Sequence, residues 1–114
     1  MNLKDRKVLE KILDHAAAIV QETQPLGNAE EFRNNDLISK AALFDLLQIG
    51  ELAKDGLSQE LIHDLSAIPW PQIYALRNRI VHGYAFVDYQ IIWETIREDI
   101  PRLIEALGEA LEKP

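Results

Sequence analysis

Residues 36–54 read DLISKAALFDLLQIGELAK. Leu37, Ala41, Phe44, Leu47 and Ile49 cannot share one narrow helical stripe with Leu43, Leu46 and Leu52, so a helix here carries apolar side chains on more than one side. In a single-layer bundle, such a helix is either central or meets a second subunit. Asp36 stands where an N-cap belongs, after a polar, turn-like stretch at 28–35.

The flanking sequence reads the same way. In residues 3–24, Val8, Leu9, Ile12, Leu13, Ala16, Ile19 and Val20 recur at spacings of three and four, which lays one stripe along a first helix ended by Pro25 and Gly27. Gly56 reads as a C-terminal stop, Ser58 as an N-cap and 59–65 as a short helix. Ile68, Pro69 and Trp70 break it, and Pro71 fits the first turn of the next helix, where its missing N–H is not needed. That helix is expected to run to about His82, with Gly83 supplying a left-handed residue. Asp88 caps the last helix, whose buried stripe is expected to be Ile91, Ile92, Ile96, Ile100, Leu103, Ile104, Leu107 and Leu111. Pro101 must kink or restart it, with Asp99 as a second cap. No strand-like alternation appears, and the expected fold is an all-α, antiparallel four- to five-helix bundle forming one domain over residues 1–114.

The chain carries 12 Lys and Arg against 19 Asp and Glu, a net charge of -7, which argues against a broad basic surface for polyanions. Its acids are unevenly spread. They average one residue in six, yet none lies between Asp64 and Asp88, and that gap holds Arg77, Arg79 and His82. With no cysteine, disulfides and thiolate chemistry are excluded, which fits a reducing compartment. Charges interrupt the first apolar stretch, and no run approaches the ~20 residues of a membrane span, so a cytoplasmic protein without membrane attachment is expected.

His15, His63 and His82 are too far apart for a local metal motif, although a magnesium site built from distant carboxylates stays open. No phosphate-cradling glycine loop is present, and Ser39, Ser58 and Ser66 lack a nucleophile-elbow context. What remains is ALRNRIVHGY at 75–84. Arginine offers a permanent planar cation matched to phosphate, histidine exchanges a proton near neutral pH, and tyrosine adds a hydroxyl. These are the parts of a phosphodiester site. They are equally the cations favoured at a helix C-terminus. On a straight helix Arg77 and His82 point about 140° apart, so either the helix distorts before His82 or a second subunit completes the pocket. Arg79 and His82, three apart, share a face.

At these residues the chain resembles the HEPN family, and within it the HepT-like toxins paired with a minimal nucleotidyltransferase antitoxin. The resemblance rests on R-x-x-x-x-H-x-Y, here Arg77, His82 and Tyr84, with Ile49-Gly50-Glu51, Ile68-Pro69-Trp70, Val87-Asp88, Trp93 and Asp99-Ile100-Pro101 around it. It implies a helical homodimer whose two motifs meet in an intersubunit cleft. It also implies a metal-independent endoribonuclease that needs no cofactor of its own and acts on RNA. The antitoxin would use ATP to transfer AMP to the motif tyrosine, within a hetero-oligomer. Carried over by position, Arg77 and His82 are catalytic, Tyr84 is the AMP acceptor, and Asn78 and Arg79 are candidate RNA or nucleotide contacts. A different class of function is a non-catalytic, nucleotide- or substrate-binding partner of the nucleotidyltransferase, which the net acidity favours; a plain dimerisation domain is a third.

Overall fold

A computed structural model describes residues 1–113. Helix α1 (Leu3–Thr23) is followed by short α2 (Ala29–Asn34), long α3 (Asp36–Glu51), short α4 (Gln59–Asp64), α5 (Trp70–Gly83), α6 (Tyr89–Glu94) and α7 (Ile100–Glu112). Wide π-helical turns at Leu52–Gly56 and Thr95–Asp99 extend α3 and join α6 to α7 without a break. Four long helical runs therefore make the bundle, and no strand occurs among the described residues. Helix α1 lies between α3 and α7, α5 packs on the far side of α3, and α2 covers α6.

Side-chain caps set most helix starts. Asn2, Asn28, Asn35, Ser58 and Asp88 each accept from a backbone N–H of the first turn that follows, satisfying donors that have no partner inside the helix. The cap of α3 is Asn35, and Asp36 is its first helical residue, where the carboxylate still faces the positive end of the helix. The expected turn at 28–35 contains α2. Asn28 Oδ1 accepts from Glu31 N–H at 2.9 Å while Glu31 reaches back to Gly27 N–H at 3.1 Å. Phe32 then buries its ring 5.7 Å from Trp93 and 5.9 Å from Tyr89.

The ends of α1 are tied to distant segments. Buried Asp5 accepts from the N–H of Ser58 at 2.9 Å and from its hydroxyl at 2.6 Å, while that hydroxyl caps Leu61 N–H at 3.2 Å. Asp5→Ala would leave the Ser58 donors unpaired, and is expected to lower unfolding free energy by about 2 kcal/mol in urea titrations. Farther along, His15 Nδ1 lies 2.8 Å from Asp45 of α3. The Glu22 carboxyl is held above its ordinary pKa by burial and then by the charge of and hydrogen bond to Asp45, with His15 opposing. A carboxyl raised in the fold favours folding while protonated, and that contribution is lost as pH rises from the ordinary glutamate value of 4.5 through the folded pKa. Glu22→Gln is therefore expected to raise the melting temperature at neutral pH, with the gain shrinking as pH falls through the folded pKa towards 4.5.

Three further expectations are corrected. Gly83 adopts φ -152°, and no residue among those described has a positive φ, so α5 ends without a left-handed residue and passes into a 3₁₀ turn, Tyr84–Phe86. Asp99 is helical and caps nothing; Pro101 is instead absorbed by the preceding π turn, in which Ile100 N–H reaches back to Thr95. On a regular helix Ile92, Ile96 and Ile100 would drift about 40° per step, and the wider turn cancels that drift so that all three are buried. The same holds for Ile49, Ala53 and Leu57 across the first π turn. Ile91 is exposed rather than part of the buried stripe, as is Val20. The surplus apolar residues Leu37 (82% exposed) and Phe44 (56%) do stand outside the single-chain core.

Candidate functional site

Trp70, buried at the start of α5, donates from Nε1 to Leu65 O at 3.0 Å, and Pro71 occupies the first turn. This anchor fixes the rotation of α5, which in turn decides where each motif side chain points. Gly50 allows α5 to approach α3 closely: a Cβ built there would overlap Arg77 Cβ and stand 2.8 Å from its Cγ.

Because of that close approach, Arg77 reaches Glu51. Its Nε donates to Glu51 Oε1 at 2.8 Å, Nη2 lies 2.6 Å from the same oxygen, and Nη1 donates to Asn78 Oδ1 at 2.8 Å. The Arg77 side chain is only 19% exposed. A guanidinium has five donors; two make hydrogen bonds here, Nη2 adds the ion pair, and donors remain on the terminal nitrogens that a phosphate could use. Asn78 thus acts on the arginine. Glu51, 26 residues away in sequence, was not among the candidate site residues and comes to the site only through packing.

His82 is exposed and faces elsewhere. With Leu76, Arg79, Phe86 and Ile91 it lines a cavity of about 460 Å³ between α5 and α6. A second cavity of about 560 Å³ continues along α5 towards α7 and shares Leu76, Arg79 and Ile91. Helix α5 has two working edges, Arg77 and Val81 four apart and Arg79 and His82 three apart, while Tyr84 and Phe86 lie beyond its end in the 3₁₀ turn. Regular helix continues through His82, so the two halves of the motif stay on opposite edges. Tyr84 is half-exposed in the 3₁₀ turn that follows α5, while the aromatic pairs among the described residues join Phe32 to Tyr89 and Trp93. The structure brings Arg79 to His82 and Asn78 to Arg77; it does not bring Arg77 to His82 within one chain.

Elsewhere, an open cavity of about 670 Å³ lined by Asn28, Glu30, Glu31, Asn34, Asn35 and Asp36 contains no motif residue. Among the described residues, no group of three or more His, Asp or Glu is arranged to hold a metal, and no helix is long and apolar enough to cross a membrane.

Comparison with known proteins identifies the family. The family model described as Ribonuclease HepT-like matches residues 12–110. The chain is 33% identical over 108 residues to a protein of Caldanaerobacter subterraneus subsp. tengcongensis named "Putative RNase TTE0752", covering 95% of each. It is 30% identical over 104 residues to "Putative RNase MJ1380" of Methanocaldococcus jannaschii, covering 90% of this chain and 94% of the relative. Over 74 residues it is 31% identical to "Probable ribonuclease HepT" of Thermococcus cleftensis, covering 65% and 66%. No solved structure gives a significant match. With an all-helical bundle and an R-x-x-x-x-H-x-Y motif on its surface, the chain belongs to the HepT-like ribonuclease family.

Proposed function

We propose that this HepT-like ribonuclease is a metal-independent endoribonuclease and the toxin of a toxin–antitoxin pair, with Arg77 and His82 as its catalytic residues in a homodimer cleft. The observation that carries the proposal is Arg77 itself, a largely covered cation held by Glu51 whose terminal nitrogens keep donors beyond those bonds. RNA carries its own nucleophile in the 2′-hydroxyl. A neutral His82 can take that proton, a protonated histidine can give one to the departing 5′-oxygen, and Arg77 can hold the charge that grows on the phosphorus oxygens. The 2′-oxygen forms its bond to phosphorus as the bond to the 5′-oxygen breaks, leaving a cyclic phosphate.

Pairing two copies supports this chemistry in two ways. It supplies two histidines, one for each proton transfer, and it brings the Arg77 edge of one copy towards the His82 edge of the other. Leu37 and Phe44 on α3 and Val81 on α5 supply exposed apolar surface for such a contact. Cleavage of single-stranded RNA by the purified protein in EDTA, abolished by Arg77→Ala, tests the proposal. The non-catalytic alternative draws support from Glu51, which already neutralises Arg77; RNA binding without cleavage at any pH would favour it.

Neutralisation is assigned to AMP transfer from ATP to Tyr84 by a minimal nucleotidyltransferase partner. The hydroxyl attacks the α-phosphorus and pyrophosphate leaves, placing a phosphodiester charge on the turn that directly follows α5. Tyr84→Phe is expected to leave cleavage within about twofold while abolishing the mass gain on incubation with the cognate nucleotidyltransferase and ATP, since only the acceptor oxygen is lost. Undiminished adenylylation of Tyr84→Phe would reassign the acceptor.

A further inference from the structure

Arg79 makes no ion pair among the described residues, unlike Arg77 and Arg102. It lines both cavities and lies within the acid-free stretch. Beside it, Phe86 is 91% exposed at the edge of the cavity that His82 lines. An aromatic ring so open contributes nothing to the fold of this chain. The cavity floor is Leu76, Ile91 and Ile92, and its far end carries Asp88, whose Oδ1 is held by the N–H groups of Gln90 and Ile91 at 2.9 and 3.3 Å.

We infer that this cavity is a nucleobase subsite for single-stranded RNA, in which a base stacks on Phe86 over the Leu76 and Ile91 floor while Arg79 holds an adjoining phosphate. The inference rests on RNA being the substrate and adds the contacts that hold one nucleotide beside His82. Single-stranded RNA is bound by such a combination, an aromatic platform with a neighbouring cation. At about 460 Å³ the cavity lies within the size range of small-ligand pockets. Its lining carries both signs of charge: Arg79 can attract phosphate, while Asp88 repels phosphate and can accept from the N–H edge of a base. A second protein copy fits less well, because covering Arg79 with an apolar surface would strand an unpaired cation, whereas a nucleotide brings its own anion. The adjoining cavity beyond Arg79 provides room for the next nucleotide along the strand.

Fluorescence anisotropy with a labelled single-stranded oligoadenylate tests this in the His82→Ala background, where the strand stays intact. Adding Phe86→Ala should raise Kd about tenfold to a hundredfold, the loss expected for one base–aromatic stack, with the salt dependence unchanged. Arg79→Ala should instead lower the slope of log Kd against log salt by about one. Phe86→Trp should retain affinity and show quenched indole emission on binding. An unchanged Kd for Phe86→Ala, with a shift to a smaller sedimenting species, would make Phe86 a subunit contact and overturn the subsite. Phe86-dependent binding by a wild-type protein that cleaves no RNA would uphold the subsite and sink the catalytic proposal instead.

Discussion

His82→Ala should lower RNA cleavage at least ~100-fold while leaving helicity and melting temperature close to wild type, the usual scale for losing a general acid or base. The two readouts separate because His82 is exposed at the end of α5 and lies outside the core. Arg77→Ala should reduce the rate comparably through loss of charge stabilisation. Arg77→Lys should not rescue it, since an ammonium cannot keep two bonds to Glu51 and still present a fork to phosphate. Cleavage should persist in EDTA. Activity that survives His82→Ala and disappears with the chelator would overturn the assignment of the histidine.

The second large effect is expected far from any proton transfer, at Gly50. An added methyl group overlaps the Arg77 stem and also comes within 3.4 Å of Ile73 O, so α5 must retreat from α3. Overpacking of this kind costs roughly 1–3 kcal/mol. The retreat also pulls the guanidinium away from Glu51, so Gly50→Ala should lose at least ~10-fold in cleavage rate even where the protein remains folded, because small misplacements of a charge stabiliser are strongly felt. Gly83→Ala is the control. A Cβ there meets nothing within 4 Å and the backbone φ suits any residue, so stability should hold or rise slightly. Equal urea midpoints and rates for Gly50→Ala and wild type would mean that the close approach is not needed.

Local signals were the legible ones. Ser58 and Asp88 announce their helices, Pro71 and Trp70 the start of α5, and the double-sided apolar pattern of α3 anticipates both its buried faces and its exposed Leu37 and Phe44. Helix α2 was within reach too. Asn28 and Glu31 form a reciprocal cap in the N-x-x-E pattern just before Phe32, and the density of polar residues there suggests a turn only if that spacing is overlooked. The π turns carry a fainter mark, successive buried residues four apart at 49, 53, 57 and at 92, 96, 100.

In the candidate site, spacing alone gave the opposed directions of Arg77 and His82 and the shared face of Arg79 and His82. Glu51 stood in the flanking Ile49-Gly50-Glu51 feature with no role attached, because its partner lies 26 residues on and the contact depends on the separation of two helices. Phe86 was hidden for another reason: an aromatic residue near a helix end is ordinarily assumed to pack inward, and only coordinates reveal one left in solvent.

The π turn at Thr95–Asp99 also bears on how this chain tolerates insertions and deletions. A π turn is an α-helix carrying one surplus residue, so its removal is the rare deletion that leaves a regular hydrogen-bond ladder behind. Downstream residues would keep their direction, because Ile92 and Ile100 would then stand seven apart on a regular helix, about 20° off one face, and Leu103, Leu107 and Ala110 would stay on the face they now bury. Pro101 would meet the carbonyl four residues before it, which a regular helix cannot accommodate. A shortened chain would therefore need the proline to change with it, which ties the length of this segment to a single side chain.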